Sequence, residues 1–252
     1  MINILLHGCN GRMGRFITTY AAENEDMKIV AGVDPYTGVP NEYPVYASIT
    51  EVKEKADVII DFGTASAVDA LLDYALANNT PVVLCTTGLS EEQLKKVNEA
   101  AGKIAILRSA NMSLGINTLI SILKTVSKPL AQAGFDIEVL EMHHNQKLDA
   151  PSGTAIALAE AANEALDNEY EFVYDRSGRR EKRPKKEIGI SAIRGGSIVG
   201  EHDVIFAGTD EVITLHHSAY SRAVFAKGAL SAARFLAGKL AGMYGMNDVI
   251  NA

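Results

Sequence analysis

The chain has 252 residues, of which 47% are hydrophobic and 22% charged, and it contains no Trp. At roughly 100–200 residues per domain this is one or two domains with a substantial core, and the apolar share excludes a disordered chain. A net charge of −7 argues against a dedicated nucleic-acid binder, and two cysteines, Cys9 and Cys85, are too few for a disulfide framework and fit a reducing compartment.

The opening residues carry an apolar run of five with no basic stretch before it, which does not read as a signal peptide. No run reaches the ~18 apolar residues of a membrane span. A cytoplasmic protein without a membrane partner is expected.

Residues 2–7 read as a buried strand and 12–23 as a helix, with Met13, Phe16, Ile17 and Tyr20 at helical spacing. A strand follows at 27–33, then a Pro- and Gly-rich loop over 35–44 and a short helix over 49–55. The pattern continues with strand 58–62, helix 67–78, strand 81–85, helix 90–102 and strand 104–107. The helix over 90–102 opens with a capping box from Ser90 to Gln93. Strands alternating with helices predict an α/β chain with a Rossmann-like parallel sheet.

After Asn111 the pattern changes. A long apolar helix is predicted over 114–133, a strand over 135–142 and an Ala-rich helix over 154–166. Three β-rich segments follow at 187–194, 197–207 and 211–218, which predict a central α+β domain with a mixed sheet. A last helix is predicted over 219–243, packing back on the first domain. The expected division is 1–111, completed by 220–252, as a dinucleotide-binding domain, and 112–219 as a substrate-binding and oligomerisation domain.

Gly8, Gly11 and Gly14 follow the first strand and open the first helix, the context a dinucleotide needs. Glycines let the backbone approach a pyrophosphate, and the helix start offers N–H groups to it. The spacing is GxxGxxG rather than GxGxxG. Asp34 strengthens the reading, because an acid ending the second strand can bond the ribose hydroxyls. Asp34 also repels a 2′-phosphate, and no Lys or Arg lies between Lys28 and Lys53, so NADH is expected in preference to NADPH, with NADPH still usable. Two further strand ends, Asp61-Phe62-Gly63 and Cys85-Thr86-Thr87-Gly88, fall where open α/β sheets bind ligands; ordinary turn chemistry is the alternative for both. Cys85 has no base near it in sequence and does not read as a nucleophile.

The segment from Glu141 to Thr154, EMHHNQKLDAPSGT, leaves a strand and enters a helix. A histidine can give or take a proton near neutrality, and Lys147 can supply charge or a proton. Ser152, Gly153 and Thr154 begin the helix with hydroxyls and N–H groups suited to a carboxylate. The alternative is a polar surface loop. His143 and His144 lack zinc-ligand spacing, so no metal is expected.

GCNGRMGR, VVLCTTG, EMHHNQKLDAPSGTA and GEHDVIFAG together resemble the 4-hydroxy-tetrahydrodipicolinate reductase (dihydrodipicolinate reductase) family over essentially the whole chain. The resemblance implies reduction of a small dicarboxylate ring by NAD(P)H in lysine and diaminopimelate biosynthesis. It makes His143 the acid/base group and Lys147 the proton donor, with His144, Ser152, Gly153 and Thr154 on the substrate carboxylates. It assigns the cofactor to Gly8, Cys9, Asn10, Gly11, Arg12, Met13, Asp34, the Cys85-Thr86-Thr87 turn and Ser109, Ala110, Asn111 and Met112. Cys85 stands where the family usually has glycine, and Met112 where it usually has phenylalanine. A homotetramer through the central sheet is implied.

Arg222 begins the last helix, where it is either a carboxylate partner or a surface arginine. The basic run 176–186 reads as a solvated or intersubunit loop, and His216 and His217 as structural. His202 is given no chemistry. Two other functions remain open: another amino-acid-pathway dehydrogenase, of the aspartate-semialdehyde or homoserine type, and a non-catalytic dinucleotide sensor.

Overall fold

The computed structural model describes residues 1–109 and 111–252, which divide into two compact units, Met1–Leu114 with Arg222–Ala252, and Gly115–Ser221. Ala110 lies outside the described residues.

The first unit is built on β1 (Ile2–His7), α1 (Arg12–Ala22), β2 (Met27–Val33), β3 (Val45–Tyr46), β4 (Val58–Asp61), α2 (Val68–Asn78), β5 (Val82–Leu84), α3 (Glu91–Ala101) and β6 (Ala105–Arg108). The strands pair in parallel in the order β6-β5-β4-β1-β2-β3. Ile4, Leu5, Leu6, Ile59 and Ile60 are fully buried, because helices cover both sheet faces. The capping box at Ser90 forms, with Gln93 Oε1 accepting from the Ser90 N–H at 3.1 Å. The short helix expected over 49–55 is only the 3₁₀ turn Ile49–Glu51, and β3 lies in what reads as a loop.

The second unit holds α4 (Leu114–Gln132), whose first residue falls in the first unit, then β7 (Asp136–His143), α5 (Gly153–Glu164), β8 (Glu171–Val173), β9 (Glu187–Arg194), β10 (Glu201–Ala207) and β11 (Val212–Ser218). The sheet order is β11-β10-β7-β9-β8. β10 pairs antiparallel with β7 and β11, while β9 is parallel to β7 and β8, so the sheet is mixed. Residues alternate across β7, and Ile137 and Val139 join Ile188, Ile190, Val204 and Phe206 in a core shared with α4 and α5. The strand expected from 197 begins only at Glu201, and β8 is three residues with no apolar run to announce it.

The last helix is shorter than its apolar stripe suggests. α6 (Ala223–Leu236) stops before Gly238, which takes φ +79°. The chain then adds β12 (Gly242–Tyr244) beside β6, completing a seven-stranded parallel sheet, and ends in α7 (Met246–Ile250). α6 lies against the first sheet, where Ala226, Ala229 and Ala233 join Ile4, Leu6 and Ile60. A Cβ on Gly228 would sit 1.6 Å from the Met112 carbonyl oxygen, so only glycine admits this approach.

Candidate active site

In the first unit, β1, β4 and β5 end together and place three turns side by side. Gly8 takes φ +78°, and a Cβ there would stand 2.5 Å from the Phe62 carbonyl oxygen. A Cβ on Gly14 would meet the Gly8 and Cys9 carbonyl oxygens at 2.3 and 2.4 Å, so α1 can start directly behind the loop only because this residue is glycine. Gly11 precedes α1 with no side-chain cap, and the helix has no acid in its first turn. Asp34 turns back on the loop, its carboxylate accepting from the Asn10 and Tyr36 N–H groups at 3.0 Å each. This glycine-lined cradle, with an uncapped helix start and an acid beside it, fits a dinucleotide.

Arg12 is exposed and Met13 half-buried. Phe62 is half-buried against the core, and Thr86 is buried while Thr87 is exposed. Cys9 and Cys85 are both buried; burial, aided by Asp34, pushes the Cys9 thiol up to about 11, and burial also raises Cys85. Neither is a nucleophile in this state. Ser109 Oγ donates to the Asn111 carbonyl at 2.7 Å, and Met112 is buried.

In the second unit the core-facing side of β7 changes character at its end. After Ile137 and Val139 the same face carries Glu141 and His143, and across the β10 pairing His202 stands opposite Glu141. His143 is therefore the last residue of a strand and buried, not a loop residue as its sequence suggests. Its Nδ1 lies 2.6 Å from Glu141 Oε2. Arg194 donates to both oxygens of Glu141, at 2.8 and 2.7 Å, and the Ser152 N–H donates to Oε1 at 2.9 Å. Burial alone would raise the Glu141 carboxyl, but Arg194, His143 and the Ser152 amide outweigh it and hold the group below its usual range.

Ser152 caps α5, its Oγ accepting from the Ala155 N–H at 3.1 Å and lying 3.0 Å from His202 Nε2. Gly153 is exposed and Thr154 half-buried at the helix start. His144 is half-buried, and Lys147 reaches Asp149 Oδ1 at 2.8 Å, which lowers the Asp149 carboxyl. His143, His144, Lys147, Ser152, Gly153 and Thr154 are thus carried by one strand end, one turn and one helix start. Arg222 belongs to the first unit, where it is exposed at the N-terminus of α6.

Sequence reasoning missed Glu141, Arg194 and His202. Glu141 could have been found, since it precedes His143 by two and shares its strand face; Arg194 carries no such signal. The basic run is also not simply solvated: Arg183 pairs with Asp136 at 2.8 Å and Glu138 at 3.0 Å, and Arg176 and Arg179 pair with Glu187.

Residues 2–112 match the description "Dihydrodipicolinate reductase, N-terminus" and residues 115–250 match "Dihydrodipicolinate reductase, C-terminus". The chain belongs to the dihydrodipicolinate reductase family. It is 55% identical over 250 residues to the 4-hydroxy-tetrahydrodipicolinate reductase of Caldanaerobacter subterraneus subsp. tengcongensis, covering 99% of this chain and 98% of that one. It is 49% identical to the Clostridium novyi enzyme of the same name, covering 100% and 99%. Among solved structures, the dipicolinate-bound dihydrodipicolinate reductase of Paenisporosarcina sp. TG-14 matches with TM-score 0.81 and 27% identity over 99% of both chains. An aspartate dehydrogenase of Thermotoga maritima, at 12% identity and TM-score 0.54 over 95% and 98%, shows the fold alone. Membership makes this chain an oxidoreductase of the pyridine-nucleotide type, with a small molecule as its substrate. Among the described residues no helix is long and apolar enough to cross a membrane.

Proposed function

We propose that this chain reduces 4-hydroxy-tetrahydrodipicolinate to tetrahydrodipicolinate with NAD(P)H, in lysine and diaminopimelate biosynthesis, and that NADH is preferred over NADPH. The observation that carries the reading is the buried Glu141–His143 pair at the end of β7, bonded to the start of α5 with Lys147 in the segment between, in a chain whose two halves both match the family. The reaction adds a hydride and a proton and releases water.

The nicotinamide nucleotide supplies the hydride when bound. Gly8, Cys9, Asn10, Gly11, Arg12 and Met13 receive its pyrophosphate, and Asp34 its adenosine ribose. The Phe62, Cys85-Thr86-Thr87 and Ser109-to-Met112 turns complete the cradle; Ala110 is assigned there from the sequence alone. His144, Ser152, Gly153 and Thr154 hold the substrate carboxylates, with Arg222 as a further carboxylate partner. Lys147 donates the proton to the ring nitrogen, and His143 serves as the acid/base group that holds the intermediate.

The domain roles follow, with the first unit binding nucleotide and the second binding substrate. We place the protein in the cytoplasm as a homotetramer assembled through the central sheet, whose surface exposes Ile193 and Val212. The test is loss of nicotinamide absorbance with enzymatically generated substrate. Turnover supports the reading; NADH binding without turnover would leave a nucleotide sensor instead.

A further inference from the structure

The Glu141 side chain is fully buried, and donors take both of its oxygens. Arg194 grips both oxygens, the Ser152 amide takes Oε1, and His143 Nδ1 takes Oε2. A carboxylate so held accepts and does not donate, so the proton between Glu141 and His143 sits on Nδ1. The other nitrogen, Nε2, is then the one left for proton exchange. A Cβ on Gly200 would stand 3.0 Å from it, so a side chain at that position would crowd this nitrogen.

The clamp is itself anchored. Arg194 also donates to the carbonyls of Asp149 and Ile193, each at 2.7 Å, and so ties the segment carrying Lys147 to β9. On its other side the His143 ring meets His202 edge to face, with centroids 5.2 Å apart. Burial holds His202 down at about 4, so near neutrality it adds no charge beside His143.

We propose that Glu141, clamped by Arg194, is a positioning residue that fixes His143 in the Nδ1–H tautomer and, through the Ser152 amide, sets it in register with the start of α5. The inference rests on His143 being the acid/base group. One carboxylate thereby aligns the proton-transferring ring with the segment that receives the substrate's carboxylates.

The test combines steady-state kinetics of the full chain with ¹⁵N-histidine NMR, in which His143→Gln identifies the His143 signals. In the wild type, Nδ1 should carry the proton at neutral pH. Glu141→Gln can accept from or donate to Nδ1, so it should mix the tautomers and lower kcat by about 10-fold or more, leaving the KM for NADH within about twofold. A residue with only a structural role would lower the melting temperature and leave tautomer and kcat unchanged, and that result overturns the proposal. If Glu141→Gln does not fold, Glu141→Asp keeps the charge for Arg194 but shortens the reach; it is read in the same way. Should His143→Gln keep near-normal kcat, the acid/base assignment fails first. If His143→Gln loses kcat while the Glu141 variants behave as wild type, the positioning role alone fails.

Discussion

The ring of His7 occupies the space that a side chain on Gly63 would need. A Cβ there would stand 2.6 Å from His7 Cε1 and Nδ1, and 3.0 Å from Asp61 Oδ1. The ring cannot swing away cheaply, because Nδ1 lies 2.5 Å from Asp61 Oδ1, which also accepts from the Gly63 N–H at 2.9 Å. The three residues shape the turn after β4, beside the glycine loop.

Gly63→Ala should therefore destabilise the fold by roughly 1–3 kcal/mol through overpacking. His7→Ala also costs stability, since it strips a partner from a buried carboxylate. The double variant should be less destabilised than the sum by about 1 kcal/mol or more, because the clash is gone. Urea unfolding of the four proteins measures this; strict additivity would show that His7 does not hold residue 63 to glycine.

The proposed preference for NADH rests on Asp34. Its carboxylate accepts from the Asn10 amide of the glycine loop and from the Tyr36 amide, and no cation lies between Lys28 and Lys53 to meet a 2′-phosphate. The expected kcat/KM is higher for NADH than for NADPH, and Asp34→Asn should narrow the ratio by removing the repulsive charge. Equal or higher kcat/KM for NADPH in the wild type rejects this.

Acid should weaken the second unit through His202. The unfolded chain takes up a proton on this ring as pH falls through about 6.5, while the buried ring resists until about 4. Stability is full above that window, falls within it and levels off below, by roughly 3 kcal/mol in all. His217, also lowered by burial and by His216, adds a loss of the same sign. Glu141 acts lower: its carboxyl is held below 4.5, so its contribution is lost only in stronger acid. Between pH 7.5 and 5, the melting temperature of the wild type should drop further than that of His202→Asn. Equal drops would mean His202 is not the sensitive group.

The parallel unit is legible in the sequence because β1, β4 and β5 are largely buried on both faces and read as short, mainly apolar runs. β12 is not, since its middle residue, Met243, is exposed and its existence depends on the open edge of β6. The same distinction applies at the site. Glycine loop, Asp34 and the segment from His143 to Thr154 lie in local motifs. Arg194 reaches Glu141 across 53 residues, through the β7–β9 pairing, which no local pattern encodes.

The proton-transfer assignment makes the sharpest demand. Lys147 is mostly buried and paired with Asp149, His143 is buried and paired with Glu141, and Ser152 caps the helix that follows. A positioned acid contributes roughly 10²–10⁴-fold, so Lys147→Ala and His143→Gln should each lower kcat by about 10²-fold or more. NADH affinity should stay nearly unchanged, because the glycine loop belongs to the other unit. If Thr154 and His144 hold the substrate carboxylates as proposed, Thr154→Val and His144→Ala should raise the substrate KM more than they lower kcat. Asp149→Asn separates two roles for the lysine. If the ion pair only orients Lys147, this variant should cost far less than Lys147→Ala, because the ammonium remains. Near-normal kcat in Lys147→Ala would leave protonation of the ring nitrogen to solvent and remove Lys147 from the chemistry.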